Sequence, residues 1–195
     1  MQVILASHNQ KKLIELQAIL ADLGFSIATP KQLGIELPEV EEDGDTFEAN
    51  ALKKARSAFA ATGIPALADD SGICVSALDG APGVYSARYS GVGASDEANN
   101  DTLLKALSGV PDRHAWFACA IAFVDQAGEM VATGECHGTI LHAPDGGGGF
   151  GYDPLFLPDG QAQTFAALPH DIKNRISHRY RALEAFRKQY AGQSV

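Results

Sequence analysis

A mixed α/β fold is what this 195-residue chain predicts, on three observations. Short apolar runs of strand character alternate with helix-periodic segments through the first half. Two longer strand-like segments joined by a tight polar turn follow, adding antiparallel pairing to an otherwise parallel sheet. The length suits one domain, residues 1–195, with a sizeable core and at most two lobes.

The elements follow in order. Val3, Ile4, Leu5 and Ala6 form an apolar run ended by Ser7-His8-Asn9, as in a buried strand entering a loop. Leu13, Leu16, Leu20 and Leu23 recur at three- and four-residue steps and Gly24 supplies the stop, which predicts a helix. Residues 25–29 read as a second strand, leading into a proline-containing loop and an acidic stretch over 36–45. Thr46 caps a helix whose apolar face carries Phe47, Ala51, Ala55, Ala58 and Phe59, closed by Gly63-Ile64-Pro65. Residues 66–68 and 73–75 read as two short strands flanking an acidic corner at Asp69-Asp70. A helix is expected over 94–107, strands over 116–124 and 130–141 with a hairpin at 125–128, a flexible glycine run at 146–149, and a last amphipathic helix over 176–190.

Bulk properties narrow the partners. Fifteen basic against twenty-four acidic residues leave a net charge of −9, which opposes non-specific binding to nucleic acid or an anionic membrane. Neither partner is expected. A polyphosphate ligand stays open if a divalent metal and a few local cations override the global field. Cys74, Cys119 and Cys136 are widely spaced and read as reduced core thiols. The opening apolar run is too short for a leader or a spanning helix, so a cytoplasmic protein is expected.

Four segments carry candidate chemistry. Ser7-His8-Asn9-Gln10-Lys11-Lys12 lies where a strand hands over to a helix; hydroxyl, amide, lysine and free helix N–H groups there suit phosphate oxygens. It lacks the glycines of a P-loop, and Ser or Asn before a helix is more often a plain cap. The second is a carboxylate set, Glu39, Glu41, Glu42, Asp43 and Asp45 in one loop, with Asp69 and Asp70 at a strand end. Magnesium takes one or two protein carboxylates and completes its shell with water and phosphate, so one acid from each segment suffices. Most of the loop acids read as solvated, whereas Asp69-Asp70 place charge at the edge of the core, where it needs a cation or several donors.

The third is Gly146-Gly-Gly-Gly-Phe150-Gly151-Tyr152-Asp153-Pro154, in which glycines admit a close ligand, Phe150 can lie against a base and Asp153 can accept hydrogen bonds. A glycine-rich turn with core aromatics is the plain alternative. The fourth is Lys173 with Ile176-Ser177-His178-Arg179, a cluster of cationic donors whose members singly resemble surface residues. No histidine pair has metal-ligand spacing.

Together these segments, with Thr46-Phe-Glu-Ala-Asn-Ala-Leu-Lys-Lys-Ala-Arg56, Ala68-Asp-Asp-Ser-Gly72 and Gly80-Ala-Pro-Gly-Val-Tyr-Ser-Ala-Arg-Tyr-Ser-Gly91, resemble the inosine triphosphate pyrophosphatases. These are noncanonical purine nucleoside triphosphate pyrophosphatases, and the pieces match in order over nearly the whole chain. The resemblance implies an elongated central sheet flanked by helices, two lobes with a nucleotide cleft between them, and a homodimer. It makes Ser7, His8, Asn9, Gln10, Lys11 and Lys12 the triphosphate grip, Glu42 and Asp70 the magnesium ligands, Asp70 the proton acceptor for water and Asp69 its helper. Ser71, Lys173, Phe150, Gly151, Tyr152, Asp153, His178 and Arg179 become substrate-binding, the last six at the purine. His8 and Lys11 depart from the small residues common in relatives, and Glu41 stays open as the alternative ligand to Glu42.

The expected reaction cleaves ITP, dITP or XTP between the α and β phosphorus atoms to the monophosphate and pyrophosphate. Donors to the base oxygen at position 6 are expected among backbone N–H groups near the glycine run and in Arg179. A non-catalytic purine nucleotide sensor and a broader nucleotide pyrophosphatase are the alternatives.

Overall fold

The computed structural model describes residues 1–7 and 10–193. Among the described residues there are six strands and six α-helices: β1 (Gln2–Leu5), α1 (Gln10–Ile19), β2 (Ser26–Ala28), α2 (Pro30–Leu33), α3 (Phe47–Thr62), β3 (Ala66–Val75), α4 (Asp96–Ala106), β4 (His114–Asp125), β5 (Gly128–Ile140), β6 (Phe156–Pro158), α5 (His170–Ile176) and α6 (His178–Gln193). The strands form one sheet in the order β2-β1-β3-β4-β5-β6. β1 runs parallel to β2 and β3, whereas β5 and β6 are antiparallel, so the sheet is mixed as the alternation of elements predicts.

The chain divides into two compact units, each with its own core. The first comprises Met1–Asp70, Cys119–Gly134 and Arg179–Val195. Its core joins Leu13, Leu16 and Leu20 to Val3, Leu5 and Leu67, and adds Phe123, Leu183 and Phe186. A second layer is built from small residues on both sides: Ala51 and Ala55 of α3 pack with Ala68 of β3 and with Ala120 and Ala122 of β4. Alanine facing alanine lets the helix lie close to the sheet. The predicted caps hold α3: Thr46 Oγ1 accepts from the Ala49 N–H at 3.1 Å, and Gly63, at φ +67°, ends the helix by donating to the Phe59 carbonyl.

The second unit comprises Ser71–Ala118 and Glu135–His178. Its core gathers Ile73, Val75, Leu103, Leu107, Phe117, Ile140, Tyr152, Phe156 and Phe165. The buried Arg113 is satisfied by backbone acceptors: its guanidinium donates to the carbonyls of Leu107, Ile140 and Leu141, at 3.1, 2.7 and 2.7 Å. Cys74, Cys119 and Cys136 are buried and in no disulfide, as their spacing predicts. Among the described residues no helix is long and apolar enough to cross a membrane.

Several expectations are corrected. Residues 66–75 are one strand, not two flanking a corner, because Asp69 and Asp70 find cations and keep extended backbone. The last helix starts at His178 rather than Ile176: Ser177 is extended, with ψ 157°, and separates it from α5, a helix that was not expected. Pro30 starts α2 behind a Thr29 capping box where a loop was expected, and residues 156–158 form a sixth strand too short to show periodicity.

Candidate active site

In the first unit, the two adjacent acids of β3 take opposite faces of the strand and acquire different partners. Asp69 is sealed in, its side chain wholly inaccessible. The Lys12 ammonium stands 2.9 Å from both carboxylate oxygens, and Arg179 adds its Nε at 3.3 Å and a terminal nitrogen at 3.2 Å to Oδ2. Burial alone would push the Asp69 carboxyl up, but the Lys12 and Arg179 charges overrule it and hold the group well below the usual carboxylate range. It is a permanent anion that orients two cations.

Asp70 is the basic member of the pair. Its Oδ1 accepts from Lys54 Nζ at 3.0 Å and its Oδ2 from Asn50 Nδ2 at 3.3 Å. Burial raises its carboxyl above the ordinary value; Lys54 works against that shift and the Glu42 charge reinforces it. Lys54 also reaches Glu42 Oε1 at 2.9 Å, so one ammonium is shared by two carboxylates from distant stretches of chain. Burial opposes the Lys54 charge, yet Asp70 and Glu42 together raise its pKa.

Helix α3 aims these groups. Asn50 and Lys54 are four residues apart and project from one face. Asn50 also fixes the acidic loop, accepting from Gly44 N–H at 2.8 Å and donating to its carbonyl at 3.4 Å. Glycine at 44 leaves room for this contact, since a Cβ would stand 2.7 Å from Asn50 Oδ1 and force that side chain to shift. Beside this cluster lies a pocket of about 530 Å³ whose lining includes Ser7, Lys12, Glu42, Lys54, Ser57 and Asp69.

Of the predicted site residues, Ser7, Lys12, Glu42, Asp69, Asp70 and Arg179 are thus placed in this unit. His8 and Asn9 lie outside the described residues, as do the side chains of Gln10 and Lys11. Lys54 and Asn50 escaped the sequence reading; their four-residue spacing on a capped helix, inside a segment already singled out, was the available signal. Asp43 pairs instead with the exposed Lys53 at 2.6 Å, and Glu41 is exposed.

In the second unit, Phe150 and Asp153 form a closed turn around Lys173. Asp153 Oδ2 accepts from the Phe150 N–H at 2.8 Å and from Lys173 Nζ at 2.5 Å. The same ammonium lies 5.0 Å from the Phe150 ring centroid and 5.4 Å from that of Phe165. Asp153 and Lys173 are buried, whereas Phe150 is 38% exposed, so the clamp presents an aromatic face outward. Gly149 sits at φ +76°, and a Cβ there would overlap the Asp153 carboxylate.

The expected backbone donors are largely spoken for. Gly148 donates to the Ala166 carbonyl, Phe150 to Asp153, and Gly151 to Asp96 Oδ2 at 2.6 Å. Buried Tyr152 donates its hydroxyl to the Ser86 carbonyl at 2.8 Å. His178 is buried and stacks on Phe117, with centroids 4.8 Å apart and planes at 13°, and Ser71 is half-buried on β3.

A mixed α/β sheet bearing lysines and carboxylates beside a polar pocket, with an aromatic clamp in the second unit, has the equipment of a phosphate-ester or anhydride hydrolase acting on a nucleotide. The family model described as the Ham1 family matches residues 3–189, and the chain belongs to the Ham1 family. It is 51% identical over 197 residues to a dITP/XTP pyrophosphatase of Geobacter sulfurreducens, covering 100% of this chain and 98% of that protein. It is also 51% identical over 186 residues to the dITP/XTP pyrophosphatase of Mycobacterium tuberculosis, covering 93% and 91%. Among solved structures it resembles a HAM1 protein from Coxiella burnetii, with a TM-score of 0.90, 40% identity and coverage of 98% and 99%.

Proposed function

We propose that this protein hydrolyses noncanonical purine nucleoside triphosphates, ITP, dITP and XTP, to the monophosphate and pyrophosphate, acting as one pyrophosphatase domain. The observation that carries the reading is the Glu42–Lys54–Asp70 cluster, whose Glu42 and Lys54 line one polar pocket together with Lys12. The relatives named dITP/XTP pyrophosphatase support the same choice of substrate.

Glu42 and Asp70 fit a magnesium ion by their chemistry, since both are already gathered round one cation, the Lys54 ammonium. Among the described residues no group of three or more His, Cys, Asp or Glu is placed to hold a metal. Two carboxylates, with water and phosphate completing the shell, are what magnesium commonly takes. Glu42 is favoured over Glu41 because it shares Lys54 with Asp70. Magnesium, when bound, would offset the charge that develops on the phosphates.

The chain's own groups divide the remaining work. Lys12 and Lys54 hold phosphate oxygens as point charges, and Ser7 adds a hydroxyl. Asp70, whose raised pKa makes it the better base of the adjacent pair, orients water and takes its proton as the bond between the α and β phosphates breaks. Asp69 keeps Lys12 and Arg179 in place and stays ionised. Phe150 offers its exposed face to the purine, with Asp153 and Lys173 fixing the ring.

Discrimination turns on position 6, an oxygen in hypoxanthine and xanthine and an amine in adenine; a polar mismatch there is worth about 10⁴-fold or more. A homodimer and a cytoplasmic location belong to the same proposal. The test is a phosphate-release assay coupled to inorganic pyrophosphatase, run on ITP, XTP, ATP, GTP and TTP with and without EDTA. Magnesium-dependent release that favours ITP and XTP is expected. Equal turnover of all five would point to a broader pyrophosphatase, and binding without turnover to a sensor.

A further inference from the structure

The 149–153 turn has a second support besides Asp153 and Lys173. On α4, Asp96 and Asn100 are four residues apart, and together they take both backbone groups of Gly151: Asp96 Oδ2 accepts its N–H at 2.6 Å, and Asn100 Nδ2 donates to its carbonyl at 3.1 Å. Asn99, on the same helix, accepts from the Ser90 N–H at 2.8 Å and donates to the Ala87 carbonyl at 3.2 Å. Ser86, within the 3-10 turn Gly83–Arg88, in turn receives the Tyr152 hydroxyl. Two segments without ladder hydrogen bonds are thereby tied to one helix. Asn99 and Asn100 are buried, at 3% and 7% exposure, so their bonds are partly shielded from water, whereas Asp96 grips Gly151 from an exposed position.

We propose that Asp96 and Asn100 are positioning residues for base recognition, which hold Gly151 by both backbone groups and so set where the Phe150 ring meets the purine. The inference rests on the reading of Phe150 as the base platform given above. Buried backbone must be satisfied in any case. A merely structural pair would move thermal stability without altering base preference. What distinguishes this pair is its target, the residue next to the half-exposed ring, gripped on both sides at once.

The test compares Asp96→Ala, Asn100→Ala and Asp96→Asn with wild type. For each, kcat and KM are measured with ITP and ATP, together with inhibition by inorganic pyrophosphate, which reads the phosphate site alone, and the thermal midpoint. The alanine variants are expected to raise KM for ITP about tenfold, the loss of one strong hydrogen bond, with kcat within about twofold. The ITP-over-ATP ratio should shrink, and pyrophosphate inhibition should stay as in wild type. Asp96→Asn, whose carbonyl oxygen still accepts from Gly151, should recover most of the KM. If Asp96→Ala fails to fold, Asn100→Ala and Asp96→Asn carry the same readouts. Unchanged KM and base preference in the variants would overturn the role of α4, as would parallel losses of kcat and pyrophosphate binding. A wild type with no preference for ITP over ATP would instead overturn the platform reading, and this inference with it.

Discussion

Exchanging the two adjacent acids of β3 one at a time for asparagine separates stability from catalysis. Asp69→Asn leaves the Lys12 ammonium and the Arg179 guanidinium around a neutral amide whose position has no solvent access. Removing one partner of a buried ion pair costs about 3–5 kcal/mol, a large part of the roughly 5–15 kcal/mol that holds a domain folded. At about 2–4 °C per kcal/mol for this chain length, the thermal midpoint should fall by roughly 6–20 °C. Asp70→Asn is milder for the fold, because its side chain is 11% exposed and Lys54 keeps Glu42. It removes the proton acceptor, so kcat should drop about 10²–10⁴-fold while nucleotide still binds. Urea and thermal melts at one pH, beside single-turnover assays with ITP, give both numbers for both variants. A Asp69→Asn protein as stable as wild type, or a Asp70→Asn protein of near-normal turnover, would refute the division of labour.

Lys54→Gln should lower kcat/KM for ITP by at least about tenfold, since a charged hydrogen-bond donor is lost and Glu42 and Asp70 are left facing each other; steady-state kinetics checks it. Gly149→Ala should weaken ITP binding and lower the thermal midpoint, because its Cβ meets Asp153 and its φ is positive; product-inhibition by IMP reads the binding part. For pH, Asp69 is depressed in the folded state, so its contribution is fully present above its ordinary value of 3.8 and is lost as pH falls below that toward the folded pKa. Urea midpoints taken across that acid window should decline more steeply in wild type than in Asp69→Asn.

Much of the architecture was legible because it rests on local signals. Leu13 and Leu16 of α1, the Thr46 and Gly63 caps of α3 and the hairpin at 125–128 stand where short-range rules put them, whereas α1 ends at Ile19 and Gly24 closes a separate 3-10 turn, Ala21–Leu23. The errors fall where distant charge decides. Two aspartates in mid-strand argue for a corner until Lys12 and Arg179, 57 and 110 residues away, compensate Asp69, and Lys54 compensates Asp70. Lys54 was passed over for the same reason: a Lys-Lys pair on a helix ordinarily faces water, and only the folded chain shows that Lys53 does so while Lys54 turns to Asp70 and Glu42. The break at Ser177 has neither glycine nor proline to announce it.

The buried cysteines give each unit its own gauge of opening. Burial, with Glu135 adding to it, pushes the Cys74 thiol up to about 11, and burial, with Asp69 adding to it, pushes Cys119 up to about 12. At neutral pH both stay protonated and unreactive while closed. Cys119 belongs to the first unit and Cys74 to the second, so the rate at which an alkylating reagent captures each one would time the breathing of the two units separately, without any label introduced into the chain.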